Sequence, residues 1–191
     1  MLANSSSRSP GPHKVYALDP ATQDPLHSLR VDVDAGLGHG SESGDFYGVS
    51  CFSSRPRVGT VGDTGGYAFE VNSLGRYRIS WEPGGGSEPI RLTSGVATRG
   101  LLHSAGYGLN HLRAECLLNP QHPTVLRFIV NGQTLAELKD KARIGALHGA
   151  LLLSSSANPR PASIVGFDNL AMSTQTRSGF LRRLLDDFAS G

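Results

Sequence analysis

Two carboxylates on one predicted strand are the nearest approach in this sequence to acid–base catalysis. Asp32 and Asp34 alternate with Val31 and Val33, so the two acidic side chains share a strand face. Hydrolysis of a glycosidic bond needs two carboxyl groups facing each other roughly 5 to 10 Å apart, one of them with a raised pKa. No Glu follows Asp34 in register, so we expect this to be the solvated face of an ordinary strand.

The other reactive residue types form no recognisable catalytic motif. The seven His residues show no HxH, HExxH or His/Cys spacing that would converge on zinc. Ser50 and Ser104 lack the G-x-S-x-G turn of a hydrolase nucleophile. The glycines 36, 38 and 40 precede another strand rather than a helix, so they are not a dinucleotide loop. The sequence therefore predicts a noncatalytic protein.

Composition favours a single all-β domain. The chain has 191 residues, 38% hydrophobic and 18% charged, with 24 Gly and 11 Pro, so turns are frequent and one domain with tails accounts for the length. The net charge of +2 is spread along the chain, which argues against nucleic-acid binding. No apolar run approaches the roughly 20 residues of a membrane span, and residues 1–14 contain no apolar core of a secretion signal.

Period-two alternation predicts at least nine short strands between residues 26 and 175, the spacing of a β-sandwich. One hairpin joins residues 67–71 to residues 77–81, and another turns at Asn131-Gly132, a dipeptide that accepts positive φ angles. Residues 1–25 are rich in Ser and Pro and are expected to be a flexible tail or linker.

Residues 178–190 predict an amphipathic helix, because large apolar side chains recur there at helical spacing. An isolated helix of this length is marginal in water. It must therefore dock on its own sandwich, on a partner protein or on a second copy. The apolar residues that would make this contact are Phe180, Leu181, Leu184, Leu185 and Phe188.

Several segments in a fixed order carry a family resemblance: a Cys after YGV, NHLRAEC at residues 110–116, the VNG turn, Asp140, Gly145, and FDN at residues 167–169. Over about residues 28–174 the chain resembles the laminin-G-like, concanavalin A-like jelly rolls of bacterial surface and signalling proteins. The resemblance implies two stacked antiparallel sheets and a glycan-binding or adhesive role. It also implies an N-terminal strand; either residues 15–18 supply this strand or the module is incomplete.

The resemblance also bears on the two cysteines. Cys51 and Cys116 both fall on the buried faces of their predicted strands, and similar domains often have cysteines at both places, which implies a disulfide between them. The alternative is two buried free thiols. An oxidised pair would indicate an extracytoplasmic location.

Calcium is the cofactor that the resemblance raises, because laminin-G-like domains often bind it at a sheet rim through Asp and carbonyl oxygens. The candidate ligands are Asp140, Asp168 and Asn169, with Asp63 as a further acid. Asp168 and Asn169 could instead bond backbone groups where the last strand meets a loop. Glucanases of the concanavalin A-like group carry E-x-D-x-E or E-x-D-x-x-E on one strand, and this sequence has neither.

The expected function is a noncatalytic recognition module for a glycan or cell-surface polymer. Aromatic, Arg and Asn side chains are typical of such sites. Asn110 and Arg113 could equally be a loop-fixing amide and a cross-strand cation. The alternative is an assembly protein that uses the helix as its contact, and a glycoside hydrolase is the least favoured. The candidate ligand-binding residues are Arg91, Arg99, Tyr107, Asn110 and Arg113.

Overall fold

The computed structural model is a two-sheet antiparallel β-sandwich. It describes residues 2–4, 13–18, 26, 28–39, 41, 44–52, 65–83, 87–119, 122–141, 147–155, 164–175 and 181–185. The strands are β1 (Leu2–Asn4), β2 (His13–Leu18), β3 (Ser28–Leu37), β4 (Phe46–Phe52), β5 (Gly66–Asn72), β6 (Arg76–Glu82), β7 (Ile90–Val96), β8 (Asn110–Asn119), β9 (His122–Val130), β10 (Gln133–Asp140), β11 (Gly149–Ser155), β12 (Ile164–Gln175) and β13 (Leu181–Leu185). Among these residues there is no helix with the length and apolarity to cross a membrane.

The strands form a seven-stranded and a six-stranded sheet. The first has the order β1-β12-β3-β8-β9-β10, with β13 also paired to β12, and the second has the order β2-β11-β4-β5-β6-β7. Every strand pairing is antiparallel. Each sheet therefore has one face toward the core and one outer face.

The core is built by the alternation that the sequence predicts. Val31 and Val33 of β3 in the seven-stranded sheet and Phe69 of β5 in the six-stranded sheet are fully buried in one core. The Phe69 and Phe128 rings lie 5.7 Å apart, within the usual range for an aromatic pair. The expected disulfide is confirmed: Cys51 of β4 and Cys116 of β8 join the two sheets, with their Cα atoms 6.7 Å apart.

Both predicted hairpins are confirmed. At the β9–β10 turn, Asn131 has φ 48° and Gly132 has φ 82°, as a two-residue hairpin turn with positive φ requires. At the β5–β6 turn, the Asn72 side-chain oxygen accepts hydrogen bonds from the backbone N–H groups of Leu74 and Arg76, at 3.1 and 2.9 Å. The register of β5 against β6 is fixed by this turn.

The N-terminal segment departs from the expected tail. β1 and β2 lie within residues 1–25; β1 pairs with β12, and β2 pairs with β11 over six residues. The backbone groups of β11 on the side away from β4 would otherwise be unpaired, and β2 satisfies them. Residues 15–18 lie in β2, at the edge of the six-stranded sheet.

The C-terminal helix prediction is wrong for the residues that the structure describes. Leu181–Leu185 is the strand β13, antiparallel to residues 171–175 of β12. β1 covers only residues 164–166 on this side of β12, so the rest of the strand has backbone groups available to pair with β13. Phe180 and Phe188 lie outside the described residues.

Candidate functional site

A groove of about 350 Å³ lies on the outer face of the six-stranded sheet. β5, β6 and the start of β7 position its side chains. Because Phe69 and Ile79 point into the core, their neighbours in sequence on each strand point out of the sheet. The described polar lining consists of Glu70, Arg78, Ser80, Glu82, Glu88 and Arg91.

A buried ion pair lies on the wall between β5 and β6. Glu70 and Arg78 are directly opposite in the register. Arg78 Nε donates to Glu70 Oε2 at 2.6 Å, and Arg78 Nη2 donates to Glu70 Oε1 at 2.9 Å. The guanidinium also lies 4.0 Å from the centre of the Phe46 ring, a cation–π contact. The two hydrogen bonds to Glu70 and the contact with the Phe46 ring fix the position of the Arg78 guanidinium in the groove.

Arg78 stays protonated in the groove. Burial on its own would lower the pKa of Arg78, but the hydrogen bond and charge of Glu70, with the charge of Glu82, raise it above its ordinary value. Arg78 therefore contributes a permanent positive charge that Glu70 largely neutralises.

The other end of the groove carries three further charged side chains. Glu82, the last residue of β6, is 8% exposed, whereas Glu88 and Arg91 are exposed. Arg91 stands opposite Ser80 in the register. A guanidinium can bind a carboxylate through two parallel hydrogen bonds. A carboxylate can accept a proton from a reacting group. This end thus combines an anion-binding group with two proton acceptors.

Asp32 and Asp34 of β3 lie on the outer face of the seven-stranded sheet. Asp32 accepts hydrogen bonds from Arg30 Nε at 2.7 Å and Arg113 Nε at 2.6 Å. Asp34 lies 2.8 Å from His111 Nδ1 and accepts a hydrogen bond from Asn169 at 2.7 Å. Burial would raise the pKa of Asp32, but its hydrogen bonds to Arg30 and Arg113 lower it. These acids tie strands together, and Arg113 is a cross-strand cation.

Asn110 is the centre of a buried hydrogen-bond network at the end of β8. Its amide nitrogen donates to the Tyr47 hydroxyl at 2.6 Å, and its oxygen accepts from the His103 backbone and the Asn131 amide, both at 2.9 Å. Burial, partly offset by the hydrogen bond from Asn110, raises the pKa of Tyr47 to about 12. Asn110 fixes the loop between β7 and β8.

The candidate calcium ligands lie apart. Asp140 ends β10 and accepts a hydrogen bond from the Tyr67 hydroxyl at 2.9 Å, while Asp168 and Asn169 lie on β12, with β3, β8 and β9 between. Asp168 Oδ1 accepts a hydrogen bond from the Asn169 backbone, and Asn169 has φ 51°. Among the described residues no group of three His, Cys, Asp or Glu could hold a metal ion. Asp63 lies outside them.

Of the candidate ligand-binding residues, only Arg91 lines the groove. Arg99 and Tyr107 are exposed in the loop between β7 and β8, at the end of β7 away from Arg91. The sequence analysis missed Glu70, Arg78, Glu82 and Glu88. The sequence does contain a sign of Glu70 and Arg78. Both alternate with core residues on the predicted hairpin, so both point outward and can be direct cross-strand partners.

Comparison with known proteins identifies the fold. No protein-family model matches the sequence, and no curated protein is similar to it. Alginate lyase vAL-1 from Chlorella virus superimposes with a TM-score of 0.55 and 12% identity over 77% of this chain and 71% of that one. An endo-β-1,4-glucuronan lyase from the fungus Trichoderma reesei gives 0.54 and 8% identity over 90% and 78% of the two chains. Alginate lyase Aly36B gives 0.52 and 13% identity over 84% and 79%.

At these identities the likeness establishes the fold, a jelly-roll sandwich of the concanavalin A-like type. It also overturns the expectation that the chain is noncatalytic, because these solved structures of the same fold are polysaccharide-cleaving enzymes. That expectation rested on the absence of acids repeated along one strand. The groove instead draws its carboxylates from two strands and the segment before a third.

Proposed function

We propose that the protein is a polysaccharide-cleaving enzyme whose substrate chain lies along the groove on the outer face of the six-stranded sheet. The observation that carries this proposal is the combination of the exposed guanidinium of Arg91 with Glu82 and Glu88 in one groove. The laminin-G-like resemblance of the sequence implies a glycan-binding role. We propose this role for the same groove.

The groove favours an acidic polysaccharide. Glu70 already occupies Arg78 through two hydrogen bonds, so Arg91 is the guanidinium best placed to receive a carboxylate from a sugar. Alginate and glucuronan, the polymers named for the lyases of this fold, consist of sugars that carry such a group. A carboxylate bound to Arg91 would be held in the bidentate geometry that guanidinium groups favour.

Elimination is the reaction that this arrangement supports. Neutralising the sugar carboxylate with Arg91 makes the adjacent C–H proton easier to remove. Glu82 would accept that proton. The bond between the neighbouring carbon and the glycosidic oxygen then breaks, and the new chain end carries a carbon–carbon double bond. The departing oxygen takes up the proton from the carboxyl group, which restores the carboxylate. Glu82 is 8% exposed and lines the same groove as Arg91.

The disulfide is consistent with a protein that acts on polysaccharides outside the cytoplasm, since such bonds persist in oxidising compartments. The alternative of an assembly protein relied on the C-terminal helix. Residues 181–185 form a strand instead.

Incubation with alginate or glucuronan tests the proposal. The unsaturated product absorbs ultraviolet light, and we expect its formation to fall by about 100-fold in Arg91→Ala and Glu82→Gln, the scale of a lost general base. Arg127→Ala, on the outer face of the other sheet, is the matched control and should retain activity. Absence of product from both polymers, or equal activity in all variants, would contradict the proposal.

A further inference from the structure

A second surface with binding chemistry lies in the loop between β7 and β8, at the end of β7 opposite the groove. Tyr107 at its tip is 80% exposed, the highest value among the exposed large hydrophobic side chains of the described residues. Leu109 and Ile164 beside it are 43% and 38% exposed. We call Tyr107, Leu109, Ile164 and the adjoining His39 the terminal patch.

The loop that carries Tyr107 is held firmly. Gly106 N–H donates to the Leu37 carbonyl at 2.7 Å, and Tyr107 N–H donates to the Ser104 carbonyl at 3.0 Å. Asn131 Nδ2 donates to the Leu101 carbonyl at 2.6 Å. Tyr107 is therefore presented at a fixed position, so a ligand would not have to order the loop on binding.

Glycines shape the patch. A Cβ on Gly36 would lie 2.5 Å from the Gly108 carbonyl oxygen, so the loop backbone packs directly on β3 only because that position is glycine. The Leu109 side chain lies over Gly36, and Ile164 lies over Gly38. The two aliphatic side chains therefore cover glycines two residues apart around the end of β3, close to the loop that carries Tyr107.

Two imidazole rings pack against the glycines that precede and follow Tyr107 in the chain. The His39 ring lies against Gly106, which has φ 78°, and the His103 ring lies against Gly108, which has φ 145°. The His39 and Tyr107 rings meet edge to face, 6.3 Å apart and at 65°. The Tyr107 ring thus has one imidazole beside it and a second against the next residue of the loop, and both imidazoles can donate and accept hydrogen bonds.

We propose that the terminal patch binds one pyranose ring of a glycan, stacked on Tyr107 with its hydroxyl groups bonded to His39 and His103. The apolar C–H face of a sugar matches the tyrosine ring, and its polar rim matches the imidazoles. A small ligand suits the patch, because its described apolar side chains, one tyrosine and two aliphatic neighbours, offer far less than the roughly 800 Å² on each side that a stable protein interface needs.

The ligand class, a glycan, rests on the proposed function, but the site is separate from the groove. β7 starts at the groove and ends at the loop, so roughly 20 Å of strand, its seven residues, lies between the groove and the start of the loop. A long polysaccharide could be held at the patch while another part of it, or another chain, occupies the groove.

Neutral disaccharides test the patch without engaging Arg91. We would titrate the full chain with cellobiose, maltose and laminaribiose and follow backbone amide shifts by NMR. Saturable shifts centred on residues 103–109 and His39 are expected with at least one sugar. Tyr107→Ala should weaken binding by roughly tenfold or more, Tyr107→Phe should retain it, and Leu74→Ala, another exposed apolar residue, should have no effect.

Three results would overturn the proposal: no saturable shift with any of the sugars, equal binding in Tyr107→Ala, or shifts confined to the groove. Loss of self-association in Tyr107→Ala without any sugar response would assign the patch to a protein contact and would also overturn it. Arg91→Ala separates the two proposals: it should abolish cleavage of acidic polymers and leave disaccharide binding at the patch unchanged. Disaccharide binding without cleavage by the wild type would leave the patch standing and refute the proposed function.

Discussion

Breaking the Glu70–Arg78 pair should destabilise the fold far more than breaking an ion pair at the surface. The Glu70 side chain is 5% exposed and that of Arg78 is 25% exposed, and two short hydrogen bonds join them. Glu70→Ala would leave the guanidinium largely desolvated without its bidentate partner. We expect a loss of about 3 to 5 kcal/mol in the free energy of unfolding.

A double-mutant cycle measured by chemical denaturation isolates the interaction. With both side chains replaced by alanine, neither member of the pair is left without the other, so the double variant should be little worse than either single variant. The coupling energy should then be about 2 kcal/mol or more. The matched control is Arg127–Glu137, another cross-strand pair with side chains 35% and 49% exposed, where we expect less than about 1 kcal/mol. Equal coupling in the two cycles would refute the reasoning.

Two further predictions concern the core. The Cys51–Cys116 disulfide closes a sequence separation of 65 residues, so replacing both cysteines with alanine should cost about 4 kcal/mol and lower Tm by about 10 °C; a reductant should lower the wild-type Tm similarly and leave the variant unchanged. The pKa of Tyr47 is about 12 in the fold against 10.0 as the ordinary value, so its contribution to stability is complete below pH 10 and is lost as pH rises toward 12. Between about pH 9 and pH 12 the free energy of unfolding should fall by about 2 kcal/mol less in Tyr47→Phe than in the wild type. An equal fall in the two proteins would contradict the assignment.

The strands were largely predictable because burial on one face imposes a period of two. Leu29, Val31 and Val33 alternate with polar residues and are fully buried in the structure. The Asn131-Gly132 turn was predictable for a different reason, since few dipeptides accept two positive φ angles in succession. Local patterns of this kind specify an element without knowledge of its neighbours.

The ends of the chain were not predictable from such patterns. β1, β2 and β13 are specified by main-chain pairing with β11 and β12, which leaves little trace in residue type. The apolar spacing of residues 180–188 is compatible with a helix. Pairing along the edge of β12 produces a strand over residues 181–185 instead.

The groove was missed because its chemistry is assembled across strands. Glu70 and Arg78 are ordinary outward residues when each strand is considered alone, and only the β5–β6 register makes them partners. Glu88 and Arg91 join them through the pairing of β7 with β6. A search for acids repeated along a single strand cannot detect such a site.

The position of a bound acidic oligosaccharide tests the central claim most directly. We would determine the crystal structure of the Glu82→Gln variant, in which the proposed base is disabled, with a tetrasaccharide of alginate or glucuronan. The account predicts a sugar carboxylate within hydrogen-bond distance of the Arg91 guanidinium, with the chain passing beside residues 82 and 88. A tetrasaccharide bound elsewhere on the sandwich, with the groove empty, would contradict it.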